Sequence, residues 1–315
     1  MTSVFTVILP VFALILVGFA CRRLGVLGPG AASEINRMVV WLCLPALLFQ
    51  ATATTAWSTL WEPRFVLVYS LSTLSVFVVT LLWRLRRIGL ADASVQGLGA
   101  AYANTGYMGI PLCLMVFGDA GLPPALVGSL VVICVLFALA VVCLEVALQS
   151  EKHLGRAVLK VALALARNPL VVAPLLGGLW AMGGVPLPVP LQRFLELLAA
   201  ATAPCALIAL GLFLAQKQPQ SAQDSHALVA LKLLVHPLIT WVLAFHLLPL
   251  PPLWAYSALL LSALPTGTGP FMLAEFYRRD ASVVSRTILH STLGALLTLS
   301  LCLYLIERQG GLTPL

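Results

Sequence analysis

The residues of this chain that could do chemistry gather in two short stretches. Asn104-Thr105-Gly106-Tyr107-Met108-Gly109-Ile110-Pro111 interrupts one long hydrophobic run. Leu264-Pro265-Thr266-Gly267-Thr268-Gly269-Pro270 interrupts another. Each combines residues that disfavour a regular helix with side chains that hydrogen-bond. Proline has no amide hydrogen, and its ring opposes the preceding turn. It is also expected to push Ile110, the residue before Pro111, away from helical dihedrals. Glycine lowers the cost of non-helical backbone. Polar backbone groups released in this way cannot face lipid, so they must face protein or a water-filled cavity.

Such a break can hold an anion. The N-terminus of a half-helix presents unpaired N–H groups and a partial positive charge. Asn104 and Thr105 add neutral donors at the first break, and Thr266 and Thr268 do so at the second. Together these groups suit a carboxylate without a full positive charge in the membrane. The expected binding set is Asn104, Thr105, Gly106, Gly109 and Pro111, with Pro265, Thr266, Gly267, Thr268 and Pro270.

The elements that position the breaks must lie in lipid. The 315 residues are 61% hydrophobic and 9% charged, with mean hydropathy +1.03. A soluble domain carries roughly a quarter charged residues. The apolar runs are continuous, as in membrane helices, and do not alternate as barrel strands do. The fold class is therefore an all-α polytopic membrane protein. Ten spans are expected, at about 3–21, 32–54, 65–84, 93–117, 123–148, 160–182, 192–215, 227–248, 253–277 and 281–306. No basic residue precedes the first run, so it reads as a true span and not a secretory leader. The seven cysteines lie in or beside apolar runs without metal-ligand spacing and read as small hydrophobes.

Loop charges test the count. Fourteen basic residues fall after the odd-numbered spans, among them Arg22, Arg23, Arg84, Arg86, Arg87, Lys152, Arg156, Lys160, Lys217, Lys232, Arg278 and Arg279. Three, Arg64, Arg193 and Arg308, fall on the other side. Cytoplasmic loops are the Lys/Arg-rich ones, so both termini are expected on the non-cytoplasmic side of a cell (inner) membrane. That asymmetry accounts for the net charge of +7 without a nucleic-acid partner.

A shift of 159 residues places Pro10 on Pro169, Pro29 on Pro188, Pro45 on Pro204 and Pro111 on Pro270. Two repeats follow, 1–156 and 157–315, each of five spans. An odd number inverts the second copy, and the broken spans four and nine correspond. Inverted repeats with a midplane site between broken helices are a hallmark of secondary transporters. Other polar groups in the runs are His236 and His290, the candidates for proton coupling or for bonds to nearby carbonyls. Glu145 and Glu275 near span ends can reach the interface, and Gln50 and Gln96 are candidates to line a cavity.

The stretch Ala103–Leu112, with Cys43-Leu-Pro-Ala-Leu-Leu-Phe49 in span two and the Pro-Thr-Gly-Thr-Gly-Pro break, resembles the auxin efflux carrier family. Bacterial members of that family include malonate and other organic-anion permeases. The resemblance implies a fold like that of the bile-acid sodium symporters. It implies a scaffold domain (about 3–54 and 160–215) and a transport domain (about 65–148 and 227–306) whose broken helices cross at the substrate. Elevator-type alternating access and homodimers through the scaffold are implied with it. The family's crossover asparagine falls on Asn104 and its prolines on Pro111 and Pro270. The long loop of the plant members is replaced here by about ten polar residues between spans five and six.

The expected function is secondary-active transport of a small organic anion, a mono- or dicarboxylate. No Gly-x-x-x-x-Gly-Lys phosphate loop is present to couple it to ATP. The coupling ion is left open between proton, sodium and none, and no cofactor is expected. The alternative is a channel or ligand-sensing module on the same fold. An enzyme is disfavoured, because neither His-Glu-x-x-His nor paired intramembrane aspartates occur.

Overall fold

Lipid offers no partner to backbone amides, so an apolar run satisfies itself as a helix. Every regular element among the described residues is helical. The computed structural model describes residues 2–55, 61–148, 155, 159, 162–163, 166–216 and 225–308. We number the helices in chain order. They are α1 (Thr2–Arg23), α2 (Ala31–Thr54), α3 (Pro63–Ala101), α4 (Thr105–Ala147) and α5 (Pro169–Met182). There follow α6 (Val189–Leu214), α7 (Ser225–Leu247), α8 (Pro252–Ser262), α9 (Gly269–Phe276) and α10 (Ser282–Arg308). Among the described residues, α2, α3, α4, α6, α7 and α10 are long and apolar enough to cross a membrane, while α5 and α8 are shorter apolar helices.

The expected gap between spans three and four narrows to a single residue: α3 consists of two helical stretches joined by a kink at Gly89, where φ is 77°. A positive φ there favours glycine, which has no Cβ to clash. Within α4, Gly118 (φ 62°) makes the corresponding turn.

Prolines inside the runs are accommodated without breaking the helix. Five-residue π turns, Val39–Cys43, Thr105–Gly109 and Leu231–Val235, directly precede Leu44-Pro45, Ile110-Pro111 and His236-Pro237. In each case the residue before proline donates its amide five residues back, Leu44 to Val39, Ile110 to Thr105 and His236 to Leu231. The wider turn gives the ring room where a normal turn would press it against a carbonyl. Ile110 accordingly keeps helical dihedrals (φ −61°, ψ −54°), contrary to the expectation from Pro111 alone.

The helices pack in two groups. α1 lies against α6, and α2 against α5 and α6. The remaining helices, α3, α4 and α7 to α10, pack mainly among themselves. The first group closes on small residues. A Cβ on Gly211 would lie 2.0 Å from the Ile15 carbonyl oxygen, and one on Gly18 would lie 2.2 Å from that of Ile208. Close backbone approach through small residues is how helices gain packing where lipid removes the hydrophobic incentive.

Two residues counted among the loop charges are inside the protein. Arg84 is buried and its Nε donates to Gln96 Oε1 at 2.8 Å. Gln96 is thereby engaged by a cation and does not line the cavity described below. Lys232 is buried within α7. A single cation in a long apolar run scarcely changes its average hydropathy, which is why the sequence pattern assigns it outside. Lys152, Arg156, Lys160 and Lys217 lie outside the described residues. Glu145 does not simply reach outward: its Oε1 accepts a 2.6 Å hydrogen bond from the Tyr277 hydroxyl. Arg279 grips Asp92 through two hydrogen bonds, so the C-terminal side of α9 is tied to both α3 and α4.

Gly211→Val should disrupt the α1–α6 crossing by at least the roughly 1–3 kcal/mol of an overpacked core. Reversible unfolding in mixed detergent micelles would measure it, against Gly28→Val as a control at an open position.

Candidate crossover site

The two interrupted stretches meet and satisfy one another. Ala103 and Thr266 form an isolated antiparallel bridge. The Asn104 amide donates to the Pro265 carbonyl at 2.9 Å, and the Gly267 amide donates to the Tyr102 carbonyl at 3.0 Å. Thr266 Oγ1 donates to the Gly99 carbonyl at 2.8 Å, and its amide donates to Ser291 Oγ at 3.0 Å. Much of the released backbone is therefore spent in a single rung of sheet between broken helices.

The break in the first run lies earlier than its glycines and proline suggest. The non-helical residues are Tyr102 to Asn104, with Asn104 at φ −75°, ψ 56°. Gly106, Gly109 and Pro111 belong to the helix that follows. Their role is local fit: a Cβ on Gly109 would come within 2.8 Å of Leu261 Cδ2 on α8. In the second run Ala263 to Thr268 are non-helical, and Pro270 sits in the first turn of α9. Gly267 and Gly269 face the Tyr102 ring so closely that a Cβ on Gly269 would lie 2.7 Å from Tyr102 Cζ.

Some donors remain. The first amides of a helix have no intrahelical acceptor. At α4 these include Gly106 and Tyr107, because Met108 and Gly109 already donate to the Asn104 carbonyl. At α9 they include Gly269 and Phe271, since Met272 donates to the Thr268 carbonyl. Asn104 Nδ2 is buried and has no hydrogen-bond partner among the described residues. Two helix N-termini and one idle carboxamide thus sit on the same crossing.

A cavity of about 180 Å³ opens beside it. Its polar lining comes from Tyr107 and Thr268 at the breaks, from Ser33 and Asn36 on α2, and from Gln216 after α6. At about 30 Å³ per water, this is room for roughly six waters. Of the expected binding set, Thr268 reaches the cavity wall. Asn104, Thr105 and Thr266 lie buried at the bridge behind it. Sequence reasoning passed over Tyr107, although it stands inside the motif and carries a polar tip. Its hydroxyl donates to Asn36 Oδ1, which joins the break to the other group of helices. Nothing in the sequence marks Asn36, because the contact depends on how the two groups pack.

The two candidate histidines are differently placed. His236 Nδ1 lies 3.1 Å from Lys232 Nζ, and His236 Nε2 lies 3.2 Å from Thr73 Oγ1. His290 stacks on His226, with ring centroids 5.0 Å apart.

Comparison with known proteins identifies the family. The profile of the family described as "Membrane transport protein" matches residues 3–303. A protein of Rhizobium meliloti (strain 1021) described as "Putative malonate transporter" is 33% identical over 316 residues, which cover 99% of this chain and 98% of that protein. An uncharacterized transporter of Methanothermobacter thermautotrophicus is 29% identical over 304 residues, covering 93% of this chain and 95% of its own. Another, from Methanocaldococcus jannaschii, is 25% identical over 303 residues, with 94% and 96% covered. The chain belongs to this family of membrane transport proteins, and the resemblance to auxin efflux carriers is borne out.

Ser291→Ala should strand the buried Thr266 amide and cost about 1–3 kcal/mol, more than the roughly 1 kcal/mol of an ordinary hydrogen bond. Thermal unfolding of the purified variant would show it, and Ser300→Ala on the exposed face of α10 serves as the control.

Proposed function

We propose that this membrane transport protein is a secondary transporter of a small organic anion, a dicarboxylate of malonate size, bound at the crossing of α3–α4 and α8–α9. The observation that carries the reading is the buried, unpartnered Asn104 Nδ2 at the start of α4, on the stretch that is bridged to the one leading into α9. Each N-terminus carries roughly half a positive charge. Two of them match one carboxylate, and the Asn104 N–H supplies a donor that otherwise has no partner. The second carboxylate would reach into the 180 Å³ cavity, toward Tyr107, Thr268, Ser33 and Gln216. The malonate description of the Rhizobium relative favours the same class.

Ten spans in two inverted repeats fit the helices if α3 is divided at Gly89, α4 at Gly118, and α8 with α9 are one broken span. α1, α2, α5 and α6 would form the scaffold, and the other helices a transport domain that moves as an elevator. The division of contacts into two groups supports this. The Tyr107–Asn36 hydrogen bond crosses between the groups and would have to break for movement. Setting aside Arg84 and Lys232, the loop charges still divide twelve to three, which supports outside termini in the cell membrane. The cavity then lies toward the cytoplasm, at the start of α2 and the end of α6. A homodimer through the scaffold is part of the same proposal.

A thermal-shift screen of purified protein against mono- and dicarboxylates tests the site. A ligand at a hundredfold its Kd adds about 2.7 kcal/mol to apparent stability. Malonate-class dicarboxylates should stabilise the protein, and Asn104→Ala should remove both that shift and labelled malonate uptake while membrane expression stays near normal. Unchanged uptake in the variant would sink the site. Conductance without counterflow of labelled substrate would replace the carrier with a channel.

A further inference from the structure

Lys232 is fully buried in the π turn Leu231–Val235 of α7. Its Nζ donates to the Ser262 carbonyl at 2.6 Å and lies 3.1 Å from His236 Nδ1. No carboxylate pairs with it among the described residues. An ammonium group only donates, so His236 Nδ1 accepts. The neutral imidazole then carries its hydrogen on Nε2 and donates it to Thr73 Oγ1. Removing an ammonium from water costs several kcal/mol, and one carbonyl with one imidazole does not replace a hydration shell. A methionine would fill the same space without that cost. An intramembrane cation kept under these terms points to function.

Its position says which function. Ser262 is the last residue of α8. The final carbonyls of a helix lack intrahelical donors and carry the negative end of its dipole. In broken-helix transporters, such half-helix C-termini and unwound carbonyls hold the coupling cation, while N-termini face the anion. Here α8 ends on the Lys232 ammonium, and α9 begins at the proposed anion site.

We propose that the Lys232–His236 pair is the coupling-cation site, carrying a proton in place of a metal ion. The inference rests on the transporter reading above. With the anion bound, the ammonium is compensated and keeps its proton. When the anion leaves, a Lys232 N–H bond breaks and the proton passes to His236 Nδ1. The imidazolium gives its Nε2 proton to Thr73 Oγ1, whose own hydroxyl hydrogen passes on to water admitted when the site opens. The pair thus gives up one proton with the anion and takes one back by the reverse steps when it reloads, with no change of oxidation state. Of the elements packed on this turn, α3 brings Tyr69, whose ring centroid is 6.2 Å from that of His236. α8 brings the Ser262 carbonyl. On α10, His290 stacks on His226 and Arg286 lies with them.

Two measurements on the purified full chain test this. In proteoliposomes, an imposed tenfold proton gradient should raise labelled malonate uptake several-fold, and an equal sodium gradient should leave it unchanged. Lys232→Met should bring the gradient-to-no-gradient ratio to one, and His236→Gln should do likewise. Uptake driven by sodium, or a Lys232→Met protein that still follows the proton gradient, would overturn the proposal. If the wild-type protein carries no malonate, the substrate reading fails, and a substrate-free measurement decides the cation site. The same measurement decides it if Lys232→Met carries nothing. Exchanging choline for sodium should leave the wild-type unfolding midpoint unmoved. The difference in midpoint between wild type and Lys232→Met should change between mildly acidic and mildly alkaline buffer. A sodium-dependent wild-type midpoint, or a pH-independent difference, would refute it. Should Lys232→Met fail to fold, His236→Gln takes its place in the same comparison.

Discussion

The rung between Ala103 and Thr266 is the contact on which the rest of the molecule depends. Two helices broken in the interior of a membrane protein expose amides and carbonyls that lipid cannot satisfy, each costing several kcal/mol. Pairing the breaks with each other removes most of that cost at once. It also fixes where the half-helices point, because the bridge holds Tyr102–Asn104 antiparallel to Pro265–Gly267. Thr266 and Ser291 complete the satisfaction by bonding to Gly99 and Thr266. Gly267 and Gly269 are needed because a larger residue at either would push the Tyr102 ring away and open the rung. The surplus donors are those the rung leaves over, and they collect at the helix starts beside the cavity.

The same break separates charges. α8 ends in carbonyls and α9 begins in amides, so one interrupted helix offers a cation place and an anion place a few residues apart. Lys232 fills the first with a side chain. A tethered cation cannot diffuse away, so whatever regulates its charge must be a proton transfer and not ion dissociation. That distinction follows from covalent attachment alone. His236 supplies a neighbouring base, and Thr73, on a different helix, orients it. The proposed anion and cation places both lie on the group of helices that packs on itself, so they would travel together if that group moves.

Much of this was legible in the sequence. Continuous apolar runs required helices, and the two Gly/Pro/Thr stretches announced breaks that had to meet something polar. The family resemblance agreed with both. What escaped was the local mechanics of proline. Pro111 looked like the point of fracture, yet a π turn absorbs it and Ile110 stays helical. The true fracture is at Tyr102–Asn104, where no residue is a strong helix breaker. It unwinds because its backbone finds better partners on Pro265 and Gly267 than within its own helix. A tertiary preference of this kind leaves no local mark. Tyr107 and Asn36 show the same limit, since their contact is made between groups of helices about 70 residues apart in sequence.

Lys232 shows the opposite failure, a residue whose type was visible and whose meaning was averaged away. Within 227–248 it is one cation in a run rich in Leu, Val and Ala, and charge counting sent it to a loop. Two spacings argue otherwise. His236 follows it by four residues, one helical turn, and so shares its face. Pro237 follows at once and forces the π turn that widens the helix at Lys232. A cation, a base one turn on, and a proline that opens the turn between them form a pattern that can be sought in other long apolar runs. Its physical content is that a buried ammonium needs an acceptor within reach and a carbonyl end to face, and both are present here.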